Sequence, residues 1–146
     1  MNTQPHKPIQ LILVEDDDAE VAAIERACAE AGVNCQITRF PDGNEALAAL
    51  NGSFGRNLLT RPYLILLDLD LPDGSGMAFL DALRADPKLR RSIVFTISSS
   101  LRDEDKAAAY DRRVAGYLVK DALDGNYATL CDLLDVYEKS IQFPLN

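Results

Sequence analysis

Carboxylates collect at two places in this chain. An apolar run, Ile9 to Val14, leads directly into Glu15, Asp16 and Asp17, and a second, Tyr63 to Leu67, leads into Asp68 and Asp70. Like charges gathered at one place repel, and a hard cation with oxygen ligands is the natural way to hold them together. Mg²⁺ fits this donor set best, since it commonly takes one or two carboxylates, keeps waters and completes its shell with phosphate oxygens. Asp68, the lone carboxylate at the tip of an apolar run, is the best nucleophile candidate, because metal and cation neighbours would keep it ionised and neutralise an incoming phosphate. Two further runs end in the groups such a reaction still lacks: Ser98 follows IVFTI and Lys120 follows GYLV. A hydroxyl can bond a phosphoryl oxygen, and an ammonium is a point-charge phosphate binder. The plainer explanation of Glu15 to Asp18 is an N-cap and first-turn acids for the next helix. Capping explains one acidic cluster better than it explains two, and it does not explain the hydroxyl and the lysine that follow in order.

The elements that must position these groups are legible as alternating patterns. Ile9 to Val14, Tyr63 to Leu67 and Ile93 to Ile97 are short apolar runs bounded by polar or turn residues, as strands covered on both faces should be. Val33 to Phe40 alternates instead, which suits a less completely covered strand at the sheet edge, and Gly116 to Val119 is a short fifth strand. Between them, Val21, Ile24, Cys28 and Ala31 recur at helical spacing, as do Leu130, Leu133 or Leu134, Tyr137 and Ile141. Gly32 is a stop for the first helix, and further helices are expected from Asn44 to Leu50, Met77 to Ala85 and Asp103 to Arg113. The expected fold is therefore α/β, a doubly wound five-stranded parallel sheet of order 2-1-3-4-5, with ligands beyond the carboxyl ends of the strands. The segment Asn51 to Pro62 is the one long connection, either a folded surface loop or a short helical insertion.

Composition narrows the function classes. The 146 residues fit one domain, expected to span 9–140 between tails at 1–8 and 141–146. A formal charge of −8 argues against binding to a phosphate backbone, so nucleic acid is not an expected partner. Cys28, Cys35 and Cys131 are widely spaced and odd in number, with neither a CxxC pair nor a His cluster, and are expected as buried thiols in a reducing cytoplasm. No apolar run approaches a membrane span, and the N-terminus lacks a signal peptide's apolar core. His6, the only histidine, lies in a polar tail. His-based catalysis is not expected.

The stretches LILVEDDDAE, LLDLDLPDGSG, IVFTISSS and AGYLVKD resemble the successive motifs of response-regulator receiver domains, over roughly Gln10 to Tyr137. The resemblance implies the flavodoxin-like (CheY-like) arrangement and a phosphoacceptor signalling protein rather than a conventional enzyme. It assigns the phosphoacceptor to Asp68, the hydroxyl to Ser98, the switch aromatic to Tyr117 and the lysine to Lys120. Asp16, Asp68 and the backbone carbonyl of Asp70 would bind Mg²⁺ directly, with Glu15 acting through water. Thr96 is a competing hydroxyl, but it lies two residues earlier, within the strand. The family usually has a cis-proline after the lysine, where this chain has Asp121. A non-proline cis bond costs about 2.5 to 4 kcal/mol, which leaves a trans link or a strained cis one. Asp70 adds a negative charge near the acceptor, and Ser100 lies two beyond Ser98; both positions should tune phosphoryl lifetime.

The implied partners are a sensor histidine kinase and an unknown downstream protein. The overall style is similar to the stand-alone receivers paired with bacterial phytochromes. The surplus of Leu130, Leu133, Leu134, Tyr137, Ile141 and Phe143 over one narrow stripe leads us to expect a homodimer through the fourth helix, fifth strand and last helix. The rival readings are a phosphatase of the haloacid-dehalogenase type, which Asp68-Leu-Asp70 also resembles, and a receiver-like binding module that has lost phosphorylation. In the phosphatase that motif usually opens the fold, whereas here two strands precede it.

Overall fold

The computed structural model describes residues 9–33, 35–52, 62–123, 127–140 and 143–144. The N-terminal tail with His6, most of the connection ahead of the third strand, Ile141 and Leu145 lie outside the described residues. Five strands are β1 (Ile9–Val14), β2 (Cys35–Phe40), β3 (Tyr63–Asp68), β4 (Val94–Ser98) and β5 (Gly116–Val119). The helices are α1 (Asp18–Ala31), α2 (Gly43–Leu50), α3 (Ser75–Ala85), α4 (Asp103–Asp111), α5 (Lys120–Leu123) and α6 (Ala128–Ser140). All strand pairs are parallel and the sheet order is β2-β1-β3-β4-β5, the doubly wound order expected from the alternation of strands and helices.

Each strand presents alternate residues to opposite faces, so the three central strands must be apolar throughout. On one face, Ile12, Val14, Ile65, Leu67 and Val94 pack with Ala46 and Leu50 of α2, Phe79, Leu80 and Leu83 of α3, and Ala109 of α4. On the other, Leu11, Leu13, Leu64, Leu66, Phe95 and Ile97 pack with Val21, Ile24 and Cys28 of α1 and with Leu130, Cys131 and Leu134 of α6. β1, β3 and β4 are buried along their whole length, whereas edge strands β2 and β5 are mostly half-buried. No helix among the described residues is long and apolar enough to cross a membrane.

Local chemistry moves several boundaries. The Asp42 side chain accepts from the Glu45 N–H at 2.9 Å, so α2 starts at Gly43, one residue before Asn44. Gly74, at φ 70°, turns the chain into α3 at Ser75 rather than at Met77. α4 stops at Asp111 because Arg113 enters the left-handed region at φ 62°. α5 is an additional short helix that the five-fold alternation does not contain. There is no cis peptide bond among the described residues, so Lys120–Asp121 is trans.

The apolar surplus of α6 has an internal explanation. Leu130 and Leu134 are buried, and Leu133, Tyr137 and Phe143 pack against the same core. The Tyr137 ring stands edge-on to Phe95 and to Phe143, with centroids 5.3 and 6.3 Å apart. These side chains are therefore not the free apolar face from which a homodimer was expected.

One side chain ties the start of the site-bearing strands together. The Arg84 guanidinium, on α3, donates to the carbonyls of Arg90 and Ser92 ahead of β4 and of Arg112 and Arg113 ahead of β5, all at 2.8–2.9 Å. Its planar fork matches four acceptors in a way that an ammonium cannot. Replacing Arg84 by Met should lower the urea-unfolding free energy by about 2 to 4 kcal/mol, and Arg84→Lys should recover less than half of that. A full recovery by lysine would show that charge, not the fork, is what matters.

Candidate phosphoacceptor and metal site

The carboxyl ends of β1, β3, β4 and β5 bring together Glu15, Asp16, Asp68, Asp70, Ser98 and Lys120. Because β1 and β4 flank β3, whatever follows those two strands stands on either side of Asp68. Asp68 ends β3 at only 2 % exposure, a carboxylate nearly withdrawn from water. Its Oδ1 accepts the Asp70 N–H at 2.7 Å and its Oδ2 accepts from Lys120 Nζ at 3.1 Å.

The acids after β1 divide by role. The Asp17 side chain caps α1 by accepting the Ala19 N–H, and Asp18 pairs with Arg39 at 2.8 Å. Glu20 accepts a hydrogen bond from Tyr127. Glu15 and Asp16 instead turn toward Asp68, and the three residues offer carboxylate oxygens that all lie within 4.8 Å of one another. The capping explanation thus holds for Asp17 and not for Glu15 or Asp16. Arg39, at the end of edge strand β2, holds the loop by donating to the carbonyls of Glu15 and Asp16 at 2.8 and 3.0 Å. The run Val33 to Phe40 marks it in the sequence as strand, but nothing there shows its bonds to the acid loop.

Crowding these charges perturbs them. Burial, followed by the hydrogen bond to Asp68, pushes the Glu15 carboxyl up to about 8 in spite of the Asp17 N–H it accepts. Burial alone would lower Lys120, yet the charge of Asp68 and the bonds to Asp68 and Asp70 hold it above the ordinary lysine range. An oxygen-only set of three close carboxylates suits a hard divalent cation, which would relieve the cost of gathering them.

Asp70 has a larger part than sequence reasoning assigned to it. There it supplied a backbone carbonyl and an extra negative charge. In the structure its carboxylate accepts from Ser98 Oγ at 2.9 Å and from the Ser99 N–H at 2.8 Å, and it pairs with Lys120 at 3.2 Å. Burial opposes ionisation of Asp70, but the Ser99, Ser98 and Lys120 contacts outweigh it and lower its pKa. An anion already sits among the groups suited to bind phosphoryl oxygens.

Ser98 and Tyr117 are linked through Ser100. Ser98 Oγ accepts the Ser100 N–H at 3.1 Å, and the Ser100 carbonyl accepts from the Tyr117 hydroxyl at 3.1 Å. Ser100 Oγ in turn donates to Asp105 at the start of α4. Thr96 is fully buried and donates to the Gly116 carbonyl at 3.3 Å, within the β4–β5 pair and away from Asp68.

Residues 11–130 match the family model described as response regulator receiver domain. The chain is 30% identical over 120 residues to the response regulator Rcp1 of Synechocystis sp., covering 82% of each. The phosphorylated cyanobacterial phytochrome response regulator RcpA superposes with a TM-score of 0.76 at 32% identity, covering 96% of this chain and 99% of that one. The Mn²⁺-bound form of Rcp1 gives a TM-score of 0.74 at 27% identity, covering 92% and 98%.

The raised Glu15 carboxyl fixes the sign of one pH effect. A carboxyl whose folded value exceeds its unfolded value contributes stability that is complete below about 4.5 and is lost as pH rises through about 8. In chelator, the thermal midpoint should fall across this window, and Glu15→Gln should flatten the slope. Equal slopes in the two proteins would show that Glu15 is not the group responsible.

Proposed function

The chain belongs to the response regulator receiver family, and from that premise we propose that it takes a phosphoryl group from a sensor histidine kinase onto Asp68. The observation that carries the assignment is the buried Asp68 carboxylate at the end of β3, between the Glu15 and Asp16 carboxylates and the Lys120 ammonium. In the transfer, an Asp68 oxygen attacks the phosphorus of a phosphohistidine; the new P–O bond forms as the P–N bond breaks, and the imidazole nitrogen keeps the electron pair. Asp16, Asp68 and the backbone carbonyl of Asp70 would hold Mg²⁺, with Glu15 acting through water. When bound, the ion supplies positive charge against the phosphoryl oxygens.

The chain's own residues do the rest. Lys120, paired with both Asp68 and Asp70, has only to exchange one carboxylate for a phosphoryl oxygen. Ser98 must leave Asp70 to do the same. Ser100 connects that hydroxyl to Tyr117, so withdrawal of Ser98 toward the phosphoryl group biases Tyr117 between two positions, which is the conformational output.

The proposed kinase class is a bacterial phytochrome in the cytoplasm, supported by the likeness to RcpA. A homodimer through α4, β5 and α6 belongs to the same reading. Its support is now the exposure of Tyr110 and Val136 on α4 and α6 and of Leu101 ahead of α4, and no longer the buried residues of α6. Light scattering of the full chain with and without beryllofluoride is the direct check: a strict monomer in both states removes the dimer.

Acetyl phosphate with Mg²⁺ should add one acid-stable, base-labile phosphoryl group, which chelator suppresses and Asp68→Asn abolishes. Labelling of Asp68→Asn at the original rate would place the acceptor elsewhere. At saturating Mg²⁺, Asp70→Asn should label about 3- to 10-fold faster, because it removes the resident anion; tenfold corresponds to about 1.4 kcal/mol of barrier. An unchanged or slower rate would show that Asp70 does not compete for the phosphoryl seat.

A further inference from the structure

The spacing of Cys28, Cys35 and Cys131 in the sequence suggests three unrelated buried thiols, but the fold assembles them. α1 and α6 lie side by side on one face of the sheet, and Cys28 Sγ is 3.3 Å from Cys131 Sγ between them. Cys35, on edge strand β2, packs against the same cluster as Cys28. All three are free thiols. Cys28 and Cys131 are buried at 4 % and 0 % exposure, whereas Cys35 is only half-buried, so the row runs from the sheet edge into the core.

We propose that this row is a thiol-oxidation site at which a peroxide oxidises Cys35 and Cys28 and Cys131 draw the oxidation inward, ending as a disulfide between α1 and α6. In the first step the Cys35 thiolate attacks one peroxide oxygen, the O–O bond breaks, hydroxide leaves, and Cys35 becomes a sulfenic acid. Cys28 sulfur then attacks Cys35 sulfur. The Cys28 proton and the sulfenic hydroxyl leave as water, giving a Cys28–Cys35 disulfide. Finally Cys131 attacks Cys28, its proton passes to the departing Cys35 sulfur, and the Cys28–Cys131 disulfide remains. The net reaction consumes two thiols and one hydrogen peroxide and yields one disulfide and two waters.

The environments of the thiols make Cys35 the entry point, while the bond to Cys35, followed by burial, pushes the Cys28 thiol up and holds it back until Cys35 is oxidised. The hydrogen bond from Cys28, reinforced by a backbone contact to Leu11 and opposed by burial, holds Cys35 below the ordinary thiol range. Cys35 is thereby both the first to ionise and the better leaving group in the last step. Burial, then the bond it shares with Cys28, pushes Cys131 up to about 12, so it is the last of the three to react. The product would tie α1, which begins immediately behind the Glu15–Asp16 loop, covalently to α6.

The test is to treat the full chain with hydrogen peroxide and to count thiols and map peptides without reduction. Free thiols should fall from three to one, a Cys28–Cys131 link should appear within one chain, and dithiothreitol should reverse it. Cys35→Ser should slow the reaction at least about tenfold, since the accessible thiolate is gone. Cys131→Ser should stop at Cys28–Cys35. Cys28→Ser, or Cys28→Ala if serine unfolds the core, should leave a Cys35 sulfenic acid that dimedone traps. Three persistent thiols, a sulfinic acid at Cys35 without any disulfide, a link formed only between chains, or Cys28–Cys35 as the final product of the unaltered chain would each overturn the proposal.

Discussion

The site depends on holding one lysine against a crowd of carboxylates at the end of a sheet. Adjacent strands lie about 4.8 Å apart, so β5 is two spacings from β3, and only a side chain as long as lysine reaches back across β4 to Asp68. Lys120 does so while also pairing with Asp70. Without that ammonium, Asp68 would be a buried carboxylate facing two others, with only the Asp70 N–H to offset the cost of its charge. The order β2-β1-β3-β4-β5 makes this possible, since it places an acid-bearing strand on one side of β3 and the hydroxyl and ammonium strands on the other.

The distribution of roles among neighbouring acids shows how little the residue type decides by itself. Asp16, Asp17 and Asp18 are consecutive and chemically identical. One faces the cluster with Glu15 and Asp68, one caps a helix and one pairs with Arg39. The direction of the chain as it leaves β1 and turns into α1 decides which is which, and Arg39 fixes that direction through backbone carbonyls rather than through the functional carboxylates.

Much of this was legible before any coordinates. The continuous apolar runs of β1, β3 and β4, the alternation of β2 and the helical stripes of α1 and α6 lead to the observed order, because burial on two faces leaves few residue choices. The set of groups at the strand ends was legible for the same reason: once the strands are placed, so are their tips. What escaped depends on contacts between distant segments. The Cys28–Cys131 proximity spans 103 positions, and the four carbonyls under Arg84 come from two separate turns. The apolar excess of α6 was misleading because Phe95 and Phe143 flank Tyr137 and absorb what looked like a free surface. Asp70 was read by its backbone, and its side chain's hold on Ser98, Ser99 and Lys120 had no sequence signal.

The Arg84 fork also gives β4 and β5 two ends that are fastened differently. The turns entering β4 and β5 are fastened by four charge-assisted bonds to one guanidinium. The opposite ends of the same strands are held by bonds that an incoming phosphoryl group would exchange, from Ser98 and Lys120 to Asp70 and from Ser98 through Ser100 to α4. A pull on Ser98 therefore acts on exchangeable bonds at one end of the strand, while the other end stays tied to Arg84. The base of β4 and β5 is thus a fixed reference against which a shift of Ser98, Ser100 and the first turn of α4 would register.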